Sequence, residues 1–267
     1  MAPTVAVRFE RVSRGFGGRM AVADVSLSIP QGAFVVFVGP SGCGKSTLLG
    51  LVAGLDAPSE GYVFVGGRQT AGPTPQTALL FQQYNLFPWM TALDNVAFGL
   101  INAGLSRRAA RERARALLER VGLVAYADRI PAELSGGMKQ RVALVRAFAL
   151  TPKVLLLDEP FAALDFQTRR LMQQYLLATW RDTSATVLMV THDLDEALML
   201  GDRIVLLSGS PGRLAEVIDL PPSRERGRDD PTIRALHERL AAHLEAEALR
   251  SEFGADEIRA MRAGGAR

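Results

Sequence analysis

Apolar residues follow two different periods along the chain, and the switches between them divide it into stretches of different character. Short β-branched and aromatic runs at Val5 to Phe9, Val25 to Ile29, Phe34 to Val38, Tyr62 to Val65 and Ala78 to Phe81 predict strands. From Leu93 to Leu150, Ala, Leu and Arg recur at helical spacing without a strand signal, which predicts a helical insert. Strand runs return at Val154 to Leu157, Thr186 to Val190 and Arg203 to Leu207, separated by helical patterns such as Leu164 to Arg181. That alternation predicts a parallel sheet covered by helices. Beyond Leu220, Pro221 and Pro222 close the pattern. SRERGRDD, residues 223–230, then reads as a polar linker into an amphipathic helix with Ile233, Leu236, Leu240 and Leu244 on one face. The sequence leaves open whether this tail helix docks on its own core or on a partner.

Composition narrows the class. Of 267 residues, 48% are hydrophobic and 22% charged, so the chain can bury a core of its own and is not disordered. A single Cys excludes an intrachain disulfide, and the start MAPTVAVRFE lacks the pattern of an export signal, so the cytoplasm is the expected compartment. The longest apolar runs, such as Leu48 to Leu55, fall far short of a membrane-spanning helix. Net charge is only +3, too small for a nucleic-acid footprint. The Arg-rich stretch from Arg107 to Arg120 reads as a solvated helix face, with a binding patch as the alternative.

Two segments carry chemistry on their own. Phe34 to Val38 runs directly into Gly39-Pro40-Ser41-Gly42-Cys43-Gly44-Lys45-Ser46, followed by Thr47 and a helical pattern. This is G-x-x-x-x-G-K-[ST] between a strand and a helix, the context of a P-loop. Glycines let the backbone wrap a polyphosphate, so that amide N–H groups and the positive end of the helix face the anion. Lys45 is placed to neutralise the β and γ phosphates, and the Ser46 hydroxyl to ligate Mg²⁺. Cys43 reads as a small loop residue. The second segment, Val154-Leu-Leu-Leu-Asp158-Glu159, is an apolar strand ending in two carboxylates. Asp158 suits Mg²⁺ held through its water shell, and Glu159 suits a base that orients or deprotonates the attacking water.

A third segment, Leu134-Ser135-Gly136-Gly137-Met138-Lys139-Gln140-Arg141, precedes a helix with Met138, Val142, Val145 and Ala149 on one face. Ser135 before a helix is a cap by itself, and with two glycines it is also a second anion-binding helix start.

The order and spacing of the P-loop, LSGGMKQR and LLLDEP resemble those of ATP-binding-cassette (ABC) ATPases over roughly residues 5–220. By that resemblance Phe16, in RGFGG, stacks on adenine, with a plain turn aromatic as the other reading. Gln82, in FQQYNLFPW, is the Q-loop glutamine, a contact to the nucleotide and its Mg²⁺; the alternative is a polar strand terminus. Asp165, in FAALD, belongs to the D-loop, and His192, in VTHD, is the switch histidine, with a loop histidine as its alternative. The implied fold is α/β, a P-loop NTPase with a RecA-like parallel-sheet core, an N-terminal antiparallel β subdomain and an inserted α-helical subdomain. The expected limits are a cassette over 1–221, with core 1–82 and 153–221 and helical subdomain 83–152, then a linker and tail over 222–267.

The segments around these motifs are most similar to the ATPase subunits of nitrate, sulfonate and taurine importers, which share Met138 in place of the commoner Gln. Ala162 stands where many members carry Ser. The resemblance implies an ATPase that hydrolyses MgATP while two copies close head to tail. Each ATP lies between Gly39 to Thr47 of one copy and Ser135 to Gly137 of the other. It further implies a peripheral place on the cytoplasmic face of the inner membrane, permease subunits as partners, and a solute-binding protein acting indirectly. Trp89 is open between core packing and, with Leu86 to Met90, a surface for the membrane partner. The rival readings are a soluble cassette acting on nucleic acid or ribosomes, a small-molecule P-loop kinase, and a binding module without hydrolysis. They are disfavoured in turn by the lack of a second cassette, by LSGGMKQR, and by the presence of both Glu159 and His192.

Overall fold

A computed structural model describes residues 4–221 and 230–252. In chain order the strands are β1 (Val5–Phe16), β2 (Arg19–Pro30), β3 (Phe34–Val38), β4 (Glu60–Val65), β5 (Arg68–Gln69), β6 (Thr77–Leu80), β7 (Val154–Asp158), β8 (Thr186–Val190), β9 (Arg203–Ser208) and β10 (Arg213–Asp219). The helices are α1 (Lys45–Ala53), α2 (Ala92–Asn102), α3 (Arg107–Arg120), α4 (Gly136–Ala149), α5 (Phe166–Thr183), α6 (Leu194–Leu200) and α7 (Pro231–Glu252). The described residues fall into two compact units, one of those up to Gly72 together with those from Val190 on, the other Pro73–Met189.

The first unit holds an antiparallel sheet in the order β2-β1-β4-β5, and a parallel β3–β9 pair with β10 added antiparallel at its edge. Val7, Phe9, Val12, Val25 and Ile29 form the buried face of the first sheet. All five residues of β3 are buried, as expected of a parallel strand covered on both faces. In the second unit β8, β7 and β6 are neighbours in that order, with β6 and β7 parallel, and α2, α3 and α4 pack on one another. Each of these three helices is capped by a hydroxyl: Thr91 accepts from the Asp94 amide, Ser106 from Ala109 and Ser135 from Met138. Such caps satisfy amides that the first helical turn leaves without partners.

Three features differ from the sequence expectations. The first strand does not stop at Phe9: Arg11 adopts φ 47° in a bulge between Phe9 and Val12, and the strand resumes to Phe16. The polar pair Glu10–Arg11 breaks the alternation without breaking the strand. The second strand likewise begins at Arg19, six residues before Val25. Strands β5 and β10 have no counterpart in the apolar pattern: β5 is two exposed residues, and β10 is an edge strand whose residues alternate only between half-buried and exposed.

The tail helix docks on its own unit. α7 packs on α6, buries Leu240, and pairs Arg239 with both carboxylate oxygens of Glu216 on β10 at 2.8 and 3.0 Å. The linker expected over 223–230 lies, except for Asp230, outside the described residues. No described helix is long and apolar enough to cross a membrane.

Candidate functional site

The strand β3 delivers the chain to a loop whose glycines are required for different reasons. A Cβ on Gly39 would stand 2.6 Å from the Leu207 carbonyl oxygen and 2.8 Å from Cys43 Sγ, so close packing demands glycine there. Gly44 adopts φ 84°, and a Cβ on it would collide with the Val22 side chain. Gly42 is different: it needs glycine for φ 78°, yet nothing lies within 4 Å of a Cβ built there. The loop is therefore packed tightly from behind and open on its outer side, where Ser41, Gly42 and Ser46 are exposed.

Lys45 opens α1, whose N-terminus has no side-chain cap and no acidic residue in its first turn. Its ammonium is buried to 8% exposure and donates to the carbonyls of Gly39 at 2.8 Å and Pro40 at 2.7 Å. The arrangement concentrates a full positive charge and a helix's positive end at one small loop. Cys43 is fully buried inside it, and burial pushes its thiol pKa up despite the opposing Lys45 charge. The same unit carries Phe16, at the tip of the β1–β2 hairpin beside Gly17 and Gly18, with the Arg14 guanidinium 4.5 Å over its ring. It also carries His192, exposed between the buried Thr191 and the cap residue Asp193.

In the second unit Asp158 ends β7, and Glu159 follows in the left-handed region at φ 47°. A non-glycine residue held there stores backbone strain. Gln82, two residues beyond β6, directs Nε2 to Glu159 Oε2 at 3.4 Å. Gln82 and Glu159, 77 residues apart, are thus brought together. Asp165 caps α5, accepting from the amides of Gln167 at 3.1 Å and Thr168 at 3.0 Å, and these bonds hold its carboxyl below the usual range. Ser135 opens α4; a Cβ on Gly136 would find its nearest neighbour, Tyr84 Oη, at 3.5 Å, which is ordinary contact. Gly136 is therefore not imposed by packing within the chain.

Three positions that the motifs did not single out organise this unit. Gln140, 4% exposed on α4, donates to the Pro160 carbonyl beside Glu159. Arg146 donates to the carbonyls of Asn85 at 2.8 Å and Tyr84 at 3.1 Å, and burial lowers its pKa. Asn95, fully buried on α2, donates to the carbonyls of Phe87, Met90 and Thr91 and accepts the Phe87 amide at 2.8 Å. A polar residue amid an apolar helical face was the available signal. The turn so held presents Trp89, 73% exposed, with Phe87 at 5.7 Å between ring centroids. Of the two readings of Trp89, core packing is excluded.

Comparison with known proteins decides the family. The ABC transporter family pattern matches residues 22–162, a stretch containing the P-loop, Gln82, Ser135 to Gly137, Asp158 and Glu159. The chain belongs to the ABC transporter family. The ABC chain is 46% identical over 211 residues to a nitrate import ATP-binding protein of Synechocystis, covering 78% of this chain and 79% of that one. It is also 46% identical over 205 residues to a taurine import ATP-binding protein of Yersinia pestis, with 77% and 80% covered. Among solved structures, it resembles a dimeric ATP-binding cassette in a post-hydrolysis state bound to ADP and Pi. There the TM-score is 0.74 at 35% identity, covering 80% of this chain and 99% of that one. This ABC protein is accordingly an ATP-binding ATPase coupled to transport, and its mixed antiparallel and parallel sheets are those of the P-loop cassette fold.

Proposed function

We propose that this ABC ATPase is the energising subunit of an importer for a small solute of the nitrate, sulfonate or taurine class, working as an ATP-dependent head-to-tail dimer. The observation that carries the reading is the pair of helix starts each with one open glycine, Gly42 ahead of Lys45 and Gly136 after Ser135. Neither Gly42 nor Gly136 owes its glycine to a clash inside the chain, and each adjoins backbone N–H groups that suit phosphate oxygens. Two such ends per chain suit a nucleotide held between two copies, the P-loop of one and the Ser135 turn of the other.

Within each site Gly39 to Thr47 would cradle the triphosphate, and Lys45 would exchange its loop carbonyls for phosphate oxygens. Phe16 would offer its ring to the adenine, Asp165 would contribute near the nucleotide, and Glu159 would orient and deprotonate water with Gln82 beside it. His192 would meet the γ phosphate.

Among the described residues no group of three or more His, Cys, Asp or Glu could hold a metal by itself. The hydroxyl, carboxylate and amide oxygens of Ser46, Asp158 and Gln82 are donors of the hard kind that Mg²⁺ takes alongside substrate phosphates, and they are the residues that would hold it. Bound there, the ion would neutralise charge on the transferred phosphoryl group.

Charge-assisted hydrogen bonds contribute about 1.5–3 kcal/mol each, so release of the γ phosphate removes several kcal/mol from the closed dimer. Hydrolysis thereby reopens it, a population shift driven by differential affinity. The work must reach a membrane-spanning partner. The aromatic turn of Phe87 and Trp89, held by Asn95, is the surface proposed to receive permease subunits at the cytoplasmic face, with a solute-binding protein acting from the far side.

The test is light scattering of Glu159→Gln with saturating MgATP, where a dimer is expected. A strictly monomeric variant, even with its membrane partners present, overturns the proposal.

A further inference from the structure

The loop bearing His192 is tied down by a buried carboxylate that the mechanism above does not use. Glu196 lies on α6 and is only 5% exposed. Its Oε2 accepts the Thr191 hydroxyl at 2.7 Å, and Thr191, 2% exposed, immediately precedes His192. The Thr191 oxygen in turn accepts the Asp193 amide at 3.1 Å, and the Asp193 carboxylate accepts the Glu196 amide at 3.1 Å. These three bonds close a ring through residues 191, 193 and 196, leaving the exposed His192 between two fixed neighbours. The ring is anchored to β3 as well, because the Thr191 amide donates to the Phe37 carbonyl at 3.3 Å, two residues before Gly39. From outside, α7 packs against α6, with His237 Nε2 3.6 Å from Asp195 Oδ1.

A carboxylate removed from water is unfavourable unless it accepts strong hydrogen bonds. Here one such bond reaches back to the residue that aims the loop. Glu196 stands in the first turn of α6, where a carboxylate also favours the helix's positive end, but its Oε2 is shut away from water against the Thr191 hydroxyl, beyond what the Asp193 cap supplies.

We propose that Glu196 is a positioning residue for His192: through the Thr191 hydroxyl it locks the switch loop relative to β3, so that the imidazole is presented in one place to the γ phosphate. This rests on the reading of His192 given above. Glu196 does not touch the nucleotide; it sets where His192 stands.

The experiment measures steady-state MgATP hydrolysis by the full chain for wild type, His192→Ala, Glu196→Ala, Glu196→Gln, Thr191→Val and the double variant His192→Ala/Glu196→Ala. Glu196→Ala and Thr191→Val should each lower kcat about tenfold, the scale of a positioning defect, with KM for ATP within about twofold of wild type. Glu196→Gln keeps an acceptor for the Thr191 hydroxyl and should restore most of kcat. The double variant should be no slower than His192→Ala alone, since nothing remains to be positioned.

If His192→Ala is slow while Glu196→Ala and Thr191→Val turn over at the wild-type rate, the positioning role falls and the reading of His192 survives. A double variant slower than His192→Ala by the full Glu196→Ala factor also refutes it, because the two residues then act independently. Wild-type turnover in His192→Ala removes the underlying reading itself. Should Glu196→Ala fail to fold, Thr191→Val cuts the same bond with a side chain of nearly the same shape and decides the question.

Discussion

The carboxylate of Glu247, near the end of α7, accepts the Gly209 amide at 2.8 Å and is 8% exposed. Gly209 begins the turn between β9 and β10, and three residues on, Gly212 lies so close to the P-loop that a Cβ there would stand within bond range of the Cys43 carbonyl oxygen. The tail helix thus grips the turn that backs the phosphate loop.

Glu247→Ala should therefore lower thermal stability. A hydrogen bond to a buried charged group contributes about 1.5–3 kcal/mol, which for a domain of this size corresponds to a Tm fall of about 3–12 °C. Glu247→Gln retains an acceptor and should fall less. Calorimetry of the two variants checks the order.

Lys45→Ala removes the side-chain cation at the centre of the P-loop. Binding of a fluorescent ATP analogue should weaken by at least about a hundredfold, the scale expected when two or more charge-assisted hydrogen bonds to phosphate are removed. Unchanged affinity would detach the loop from phosphate binding.

Asn95→Leu should destabilise the second unit and free the Phe87–Thr91 turn. One substitution removes the side-chain partner of three carbonyls and one amide; the Phe87 and Thr91 carbonyls keep backbone donors, so the loss falls on the Met90 carbonyl and the Phe87 amide, at about 1–3 kcal/mol each. The readout is a lower urea midpoint.

Two titrations have defined signs. Burial raises the Cys43 thiol pKa, so thiolate is scarcer at any given pH than for a free cysteine. Alkylation at pH 8 should be slow in the native chain and fast after denaturation. Asp165 is lowered from 3.8 by the amides it accepts. Its contribution to stability is present above that value and lost as pH falls through the lower folded value. Asp165→Asn should accordingly shrink the difference in urea midpoint between pH 7 and pH 3.

The chemistry-bearing segments were legible because each is local. In Gly39 to Ser46, strand, loop and helix start are contiguous, and the same residues set the backbone path and supply the charge. The apolar run into Asp158 and Glu159 announces a buried strand ending in two carboxylates within six residues. Strands alternating with helices point to a parallel sheet, and β3–β9 and β6–β7 are parallel, but which strands pair is set by the tertiary structure.

Other features had no local signature. Glu10 and Arg11 look like the end of a strand, and only the bulge, with its pairing across to β2 and β4, shows that the strand continues. Trp89 is compatible with core or surface until the turn around it is folded. Gln140, Arg146, Glu196 and Glu247 look like ordinary polar positions on amphipathic helices. Their partners are carbonyls, amides and a hydroxyl, groups every sequence contains.

What the sequence determined by itself, then, was which residues carry charge to the phosphate loop and to the end of β7, because residue type and immediate neighbours set that geometry. What the tertiary structure decided was which polar side chains are shut away from water. Burial depends on the elements packed over a residue, and only burial turns a common hydrogen bond, such as Glu196 to Thr191, into one that holds a loop in place.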